Sequence, residues 1–296
     1  MNDDAWVIVH RGVERNSAQE AGLVLTAVDI DNEVRGNNGV WDVLVPVQHA
    51  VRAEQELLSY RSENPPGARR KLRPVPMVDS GINGVLGYLV VIWGVLLLEQ
   101  RETFGHVWRT VGRMQAGLVT GGEWWRTVTA QTLHLDLGHI AANSVFGAFF
   151  GLFAGRALGS GWAWLTILVA GALGNGLNAF IQPADHRAVG ASTAVFAALG
   201  LIAAFSWRRG YYRGRVGWRR SLAPVIAGIA LLAYTGTGDE NTDIMAHLMG
   251  FIAGFGFGFL HGEIDAQQRF DQRTQWLAGS AALALVIAAW AAAFKQ

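Results

Sequence analysis

Residues 188–207, AVGASTAVFAALGLIAAFSW, carry no charge and are apolar or small almost throughout. A helix rising about 1.5 Å per residue over this stretch reaches roughly the 30 Å of a hydrocarbon core. One such run could be the core helix of a soluble domain. Six others accompany it, at 82–98, 137–155, 161–181, 221–236, 243–262 and 276–294. Seven in succession cannot all be interior to a soluble chain of 296 residues. The sequence therefore predicts an all-α polytopic membrane protein, a helical bundle of about seven transmembrane helices.

Composition agrees, with 51% hydrophobic and 16% charged residues. A formal net charge of +1 gives no reason to expect a nucleic-acid partner. With no cysteine, disulfides and thiolate chemistry are excluded. The acidic start, MNDDAWVIVH, lacks a basic region followed by an apolar core, so no cleaved signal peptide is expected.

Residues 1–63 read as a small soluble α/β domain of βαββα pattern. AWVIVH is a strand and 14–26 a helix, while 27–34 and 39–47 flank the turn sequence GNNG as a hairpin. HAVRAEQELLSYRSE follows as a helix with charged and apolar faces. Residues 64–81 form a Pro-rich basic linker, 82–262 a six-helix core, and 263–296 a loop and a further transmembrane helix.

Arginine and lysine set the expected orientation. Arg69, Arg70, Lys71 and Arg73 precede the first span, and Arg208, Arg209, Arg213, Arg215, Arg219 and Arg220 fill the loop between the fourth and fifth. The loop after the fifth carries Asp239 and Glu240 and no basic residue. The amino terminus is thus expected in the cytoplasm. The connection 99–136 holds four arginines against this reading, but it is longer than the loops that weigh most.

In that orientation spans two, four and six are parallel, and each carries polar residues near its outer end. These are His139 and Asn143, Ser192, and His247. Ionisable groups at such depth are costly and more often mark a site than filler. Small residues repeat at the same spacing: Gly147, Gly151 and Gly155 in span two, Gly200 after Ser192 and Phe196 in span four, and Gly250, Gly254, Gly258 and Gly262 in span six. Such ridges let helix backbones approach closely in lipid. A Ser192–His247 hydrogen bond needs that approach.

A serine hydroxyl becomes a nucleophile when a neutral histidine takes its proton. The resulting oxyanion needs fixed donors, which His139, Asn143 and the Ser192 backbone N–H could supply, with Gly190 allowing close backbone approach. Hydrolysis of an amide fits this inventory. A zinc protease wants H-E-x-x-H, which is absent, and Asp243 is the single acid within the predicted spans, so an aspartyl dyad fits worse. GFGFG at 254–258 follows no strand and is no dinucleotide loop.

These residues resemble the rhomboid family of intramembrane serine proteases. EWWRTVTAQTLHLDLGHIAAN resembles its first loop and second span, GASTAVFAALG its nucleophile helix, and AHLMGFIAG its H-x-x-G-x-x-x-G catalytic-histidine helix. The resemblance covers roughly residues 83–262. It implies Ser192 as nucleophile, His247 as base and then acid, and His139 and Asn143 on the oxyanion. Phe196 would pack against the histidine, Trp125 and Arg126 would shape the first loop, and His134 would stabilise it. Span five and residues 236–242 would form gate and cap.

The implied substrates are transmembrane segments of other proteins, within membrane lipid and without metal or organic cofactor. The implied location is a bacterial inner membrane, with the site opening outside. Thr193 departs from the family, which commonly has glycine after the serine. Asp243, one turn before His247, reads as a cap or water contact. A catalytically silent rhomboid-fold protein that escorts membrane clients is the alternative, although silent members usually lack the serine or histidine that this chain retains.

Overall fold

The computed structural model describes residues 5–64, 77–212, 222–235, 243–262 and 271–296. Much of the basic linker, most of the arginine-rich loop, the cap at 236–242 and the loop 263–270 lie outside the described residues. The chain divides into two compact units, Met1–Pro74 and Val75–Gln296.

The first unit is a three-stranded antiparallel sheet with two helices. In chain order these are β1 (Trp6–Gly12), α1 (Arg15–Ala27), β2 (Glu33–Asn37), β3 (Val40–Pro46) and α2 (Ala50–Glu63). The sheet order β1-β3-β2 puts β3 in the centre. Val43 and Val45 on β3 meet Ala18, Ala21 and Leu25 on α1 and Ala53 and Leu57 on α2, all buried. Asn38 and Gly39 turn the hairpin with φ of 49° and 80°, the paired positive values of a tight two-residue turn. The first hairpin strand is Glu33–Asn37, and the expected 27–34 is corrected. The end of α1 and a bend through Asp29 (φ 54°) occupy the earlier residues.

The second unit is a helical bundle. It contains α3 (Ile82–Gln100), α7 (Leu137–Leu158), α8 (Ser160–Ile181), α9 (Ser192–Tyr212), α10 (Ala223–Thr235), α11 (Ile244–His261) and α12 (Gln272–Ala293). Between α3 and α7 a long connection holds α4 (Trp108–Gly112), β4 (Met114–Gln115), α5 (Ala116–Thr120) and α6 (Arg126–Thr129). Among the described residues five helices are long and apolar enough to cross a membrane: α3, α7, α8, α11 and α12. Only 17% of the apolar window of α3 is buried in protein. Its Leu86, Val90 and Leu97, with Val145, Phe149 and Phe153 of α7, are exposed apolar side chains facing the lipid.

The expected span 188–207 begins late. Arg187 and Ala188 form a strand, β5, paired antiparallel with β4, and α9 starts only at Ser192. From there α9 runs through the bundle with Ala194–Leu199, Leu201 and Ala203–Phe205 buried. Its closest neighbour is α11. A Cβ added at Gly250, Gly254 or Gly258 would strike the carbonyl of Thr193, Ala197 or Leu201 respectively, and one at Gly200 would strike that of Phe251. In lipid, where apolar burial gives no advantage over the acyl tails, such backbone contact supplies the dispersion that holds two helices together.

Candidate active site

The approach to Ser192 is built on the long α3–α7 connection. Beyond the β4–β5 pairs Met114–Ala188 and Gln115–Arg187, Ala116 N donates to His186 O (3.0 Å) and Gly117 N to Ala184 O (2.9 Å). Gly190 N donates to Ala130 O at 2.9 Å. Residues 184–190 are thus stitched to a floor assembled from residues about seventy positions earlier.

That floor is held by buried polar groups. Arg126, 4% exposed, pairs with Glu123 (2.5 Å) and donates to the carbonyls of Thr110 (3.1 Å) and Arg113 (2.9 Å). Thr129 Oγ1 donates to Gly112 O (2.6 Å), and Arg109 reaches Glu99 and the carbonyl of His134. Trp125 packs into a cluster of Trp108, Leu133 and Trp290, the last from α12. Trp290 Nε1 donates to Thr132 Oγ1 at 3.1 Å, and its ring lies 4.5 Å from that of Trp108. His134 is buried, and its Nε2 accepts from Ala191 N at 3.5 Å. Burial, with His139 beside it, pushes the imidazole down to about 3, so it stays neutral and able to accept.

A cavity of about 1060 Å³ opens above this floor, and Ser192, His247, His139, Asn143, Gly190 and Phe196 all line it. Gly190 has φ 136°, which few residues other than glycine adopt, and a Cβ there would stand 2.6 Å from His139 Cε1. Asp136 caps α7 by accepting from His139 N (2.8 Å). His139 Nδ1 accepts from Leu135 N at 3.5 Å, which leaves Nε2, on the Gly190 side, to carry the proton. Asn143 is buried, and its Nδ2 has no hydrogen-bond partner among the described residues.

His247 lies in the first turn of α11, buried, with its ring 4.4 Å from that of Phe196. Asp243 is the N-cap of this helix and accepts from Ala246 N at 2.9 Å. Its other oxygen meets His186 Nε2 (2.7 Å) and Asn178 Nδ2 (2.8 Å). Gly174 on α8 and Gly250 on α11 leave room for Thr193, whose Cγ2 stands 3.0 Å from where a Cβ would lie on either. The methyl fills the three-helix junction directly behind Ser192.

A family model, described as the rhomboid domain, matches residues 121–264. The putative rhomboid protease YdcA of Bacillus subtilis (strain 168) is 30% identical over 179 residues, covering 60% of this chain and 85% of that protein. The chain belongs to the rhomboid family. It is also similar to the rhomboid protease GluP of the same organism, 32% identical over 175 residues, or 57% of this chain and 33% of GluP. Rhomboid-like protease 1 of Toxoplasma gondii is 28% identical over 183 residues, covering 60% of this chain and 59% of that protein. This rhomboid is an integral membrane protein.

Within the rhomboid bundle the residues singled out from sequence fall into two groups. Ser192, His247, His139, Asn143, Gly190 and Phe196 share the cavity. Trp125, Arg126 and His134 stand in the floor, and Gly250 and Gly254 at the α9–α11 contact. Sequence reasoning missed His186, Asn178, Arg113, Arg187 and Trp290. An amide within the apolar stretch 161–181 is a readable signal for Asn178. The others depend on contacts between distant segments.

Proposed function

We propose that this rhomboid is an intramembrane serine endopeptidase that hydrolyses peptide bonds in or beside the transmembrane segments of other membrane proteins. Ser192 Oγ attacks the scissile carbonyl while His247 takes its proton. The tetrahedral oxyanion is held by Asn143 Nδ2, His139 Nε2–H and the Ser192 backbone N–H. His247 then gives its proton to the leaving amine as the carbon–nitrogen bond breaks. A water deprotonated by His247 hydrolyses the acyl-enzyme and restores both residues.

One observation carries this reading most. Asn143 Nδ2 is a buried donor left without a partner among the described residues, in the same cavity as Ser192 and His247. Such a donor is costly in the resting protein and is repaid when an oxyanion forms. Asp243 is engaged by Ala246, His186 and Asn178, which favours a dyad without a third acid.

The distribution of arginines supports an amino terminus in the cytoplasm and a site opening to the outside, and the Bacillus subtilis relatives support a bacterial inner membrane. We assign 1–63 to a cytoplasmic domain, 64–81 to a linker, 82–262 to the protease core and 263–296 to the added helix with its loop.

The test is labelling of the purified protein with a fluorophosphonate, beside Ser192→Ala and His247→Ala. Labelling of the unmodified protein alone is the expected result. Labelling that persists in Ser192→Ala would mean another nucleophile. No labelling, together with retention of membrane clients, would favour the silent escort.

A further inference from the structure

Two cations at the rim of the catalytic cavity have no part in the dyad chemistry. Arg113 and Arg187 both line the cavity that holds Ser192 and His247. Arg187 lies on β5 opposite Gln115 of β4. Arg113 directly precedes β4 with extended backbone (φ −63°, ψ 145°), so it continues that strand. Alternation along a strand then puts Arg113, Gln115 and Arg187 on one face of the ladder, with the two arginines as diagonal neighbours. Met114, on the opposite face, is fully buried.

Like charges so placed repel one another, and no salt bridge relieves them among the described residues. Among the described residues neither guanidinium is in a salt bridge, and Arg113 Nε is buried without a partner. The other charges around the cavity are committed elsewhere. Arg109 is held by Glu99 and the His134 carbonyl, Asp136 caps α7, and Asp243 is taken by His186, Asn178 and Ala246. Burial, with Arg187 and Arg126 close by, holds the Arg113 guanidinium below its ordinary value, as expected of a cation lacking its anion.

We propose that Arg113 and Arg187 form an anion-binding subsite at the rim of the catalytic cavity, which takes a carboxylate side chain of the substrate close to the scissile bond. The inference rests on the protease reading of that cavity. Arg187 is five residues before Ser192, a reach of at most about 17 Å in extended chain. A substrate strand has the same rise, so its acidic residue lies within about five positions of the cut. Two adjacent planar forks suit a carboxylate, which accepts through both oxygens. A lipid phosphate has similar chemistry, but the shared cavity and the covalent continuity from Arg187 to Ser192 favour the substrate.

The experiment uses full-length protein carrying Ser192→Ala, so that binding is read without turnover. The probes are fluorescent single-span peptides with Glu, Gln or Lys at each of about five positions on either side of a central Ala-Gly pair. At one position Glu binds about tenfold more tightly than Gln, a gain at the weaker end of charge-assisted hydrogen bonds, and Lys binds less well. That ratio falls to one in Arg113→Gln/Arg187→Gln. In Arg187→Glu, a change on an exposed side chain that carries the test even where the double variant misfolds, the preference turns towards Lys.

Absence of a Glu preference at every position, whether or not the peptides bind, overturns the proposal. So does a preference that survives the arginine variants. Loss of bound phosphatidylglycerol in those variants, with peptide ratios at one, assigns the pair to a lipid phosphate and equally overturns it. Failure of fluorophosphonate labelling in the unmodified protein bears on the protease reading alone.

Discussion

The Nε2 of His186 lies 2.7 Å from Oδ2 of Asp243, joining the loop that leads into Ser192 to the cap of the helix that carries His247. The proposed nucleophile and base lie on separate helices and need such a cross-tie, because errors of about 1 Å are expensive in catalysis. Asp243→Ala is expected to cost about 1 kcal/mol for the cap alone. It also frees His186 and Asn178, and it lowers kcat more than it raises KM. Asp243→Asn, another good cap, retains more of both. Thermal unfolding and steady-state kinetics on the same preparations decide this.

Asn143→Ala should lower kcat by about 10²-fold, the order seen when one oxyanion donor is removed. KM changes little, because the donor acts as charge develops. An equal loss in binding of a substrate peptide to Ser192→Ala protein would assign Asn143 to ground-state binding.

The α9–α11 contact has an internal control. A Cβ at Gly254 would strike the Ala197 carbonyl, whereas one at Gly256 meets nothing within 4 Å among the described residues. Gly254→Ala is expected to destabilise by about 1–3 kcal/mol, as overpacking does. Gly256→Ala, on the same helix, is neutral or stabilising by up to about 1 kcal/mol. Comparing the two unfolding midpoints in one detergent separates contact from composition.

The buried His134 makes the floor sensitive to acid. Its folded value, about 3, lies below the ordinary 6.5, so above pH 6.5 both states are neutral and nothing is lost. As pH falls from 6.5 towards 3, the unfolded state takes up a proton that the folded state refuses. Stability then declines by up to about 1.4 kcal/mol per unit. His134→Gln, which keeps an acceptor for Ala191 N–H and does not titrate, should show a shallower decline of unfolding temperature over that window. An identical slope in both proteins would remove His134 as the cause.

Trp290→Ala should cost about 3–5 kcal/mol, the range for a large aromatic lost from a packed cluster. It also leaves Thr132 without its donor. Activity falls with stability even though Trp290 lies outside the cavity lining.

Much of this was legible in the sequence. The helices could be read because lipid demands long apolar runs, and the faces of α7, α9 and α11 because glycine and polar residues recur every fourth position. The start of α9 was misread because hydropathy does not distinguish an extended segment from a helix when both are apolar. What makes Ala188 a strand residue is its partner Met114, far away in the chain. Arg113 and Arg187 look from sequence like any loop cations, and only that same ladder makes them neighbours. Thr193 reads as a departure from the family, but Gly174 and Gly250 make the space that accepts its methyl.

The aromatic clasp of Trp290 on Trp108 and Thr132 also bears on when the site is completed. Of the described helices α12 is the last to be synthesised, yet its ring closes the floor beneath Ser192. While only α3 to α11 have entered the bilayer, Ser192 and His247 are both present and the floor beneath them lacks the closing ring. On the protease reading, a centre able to cut whatever helix lies beside it in a crowded insertion channel would therefore be completed only after its own bundle is in place.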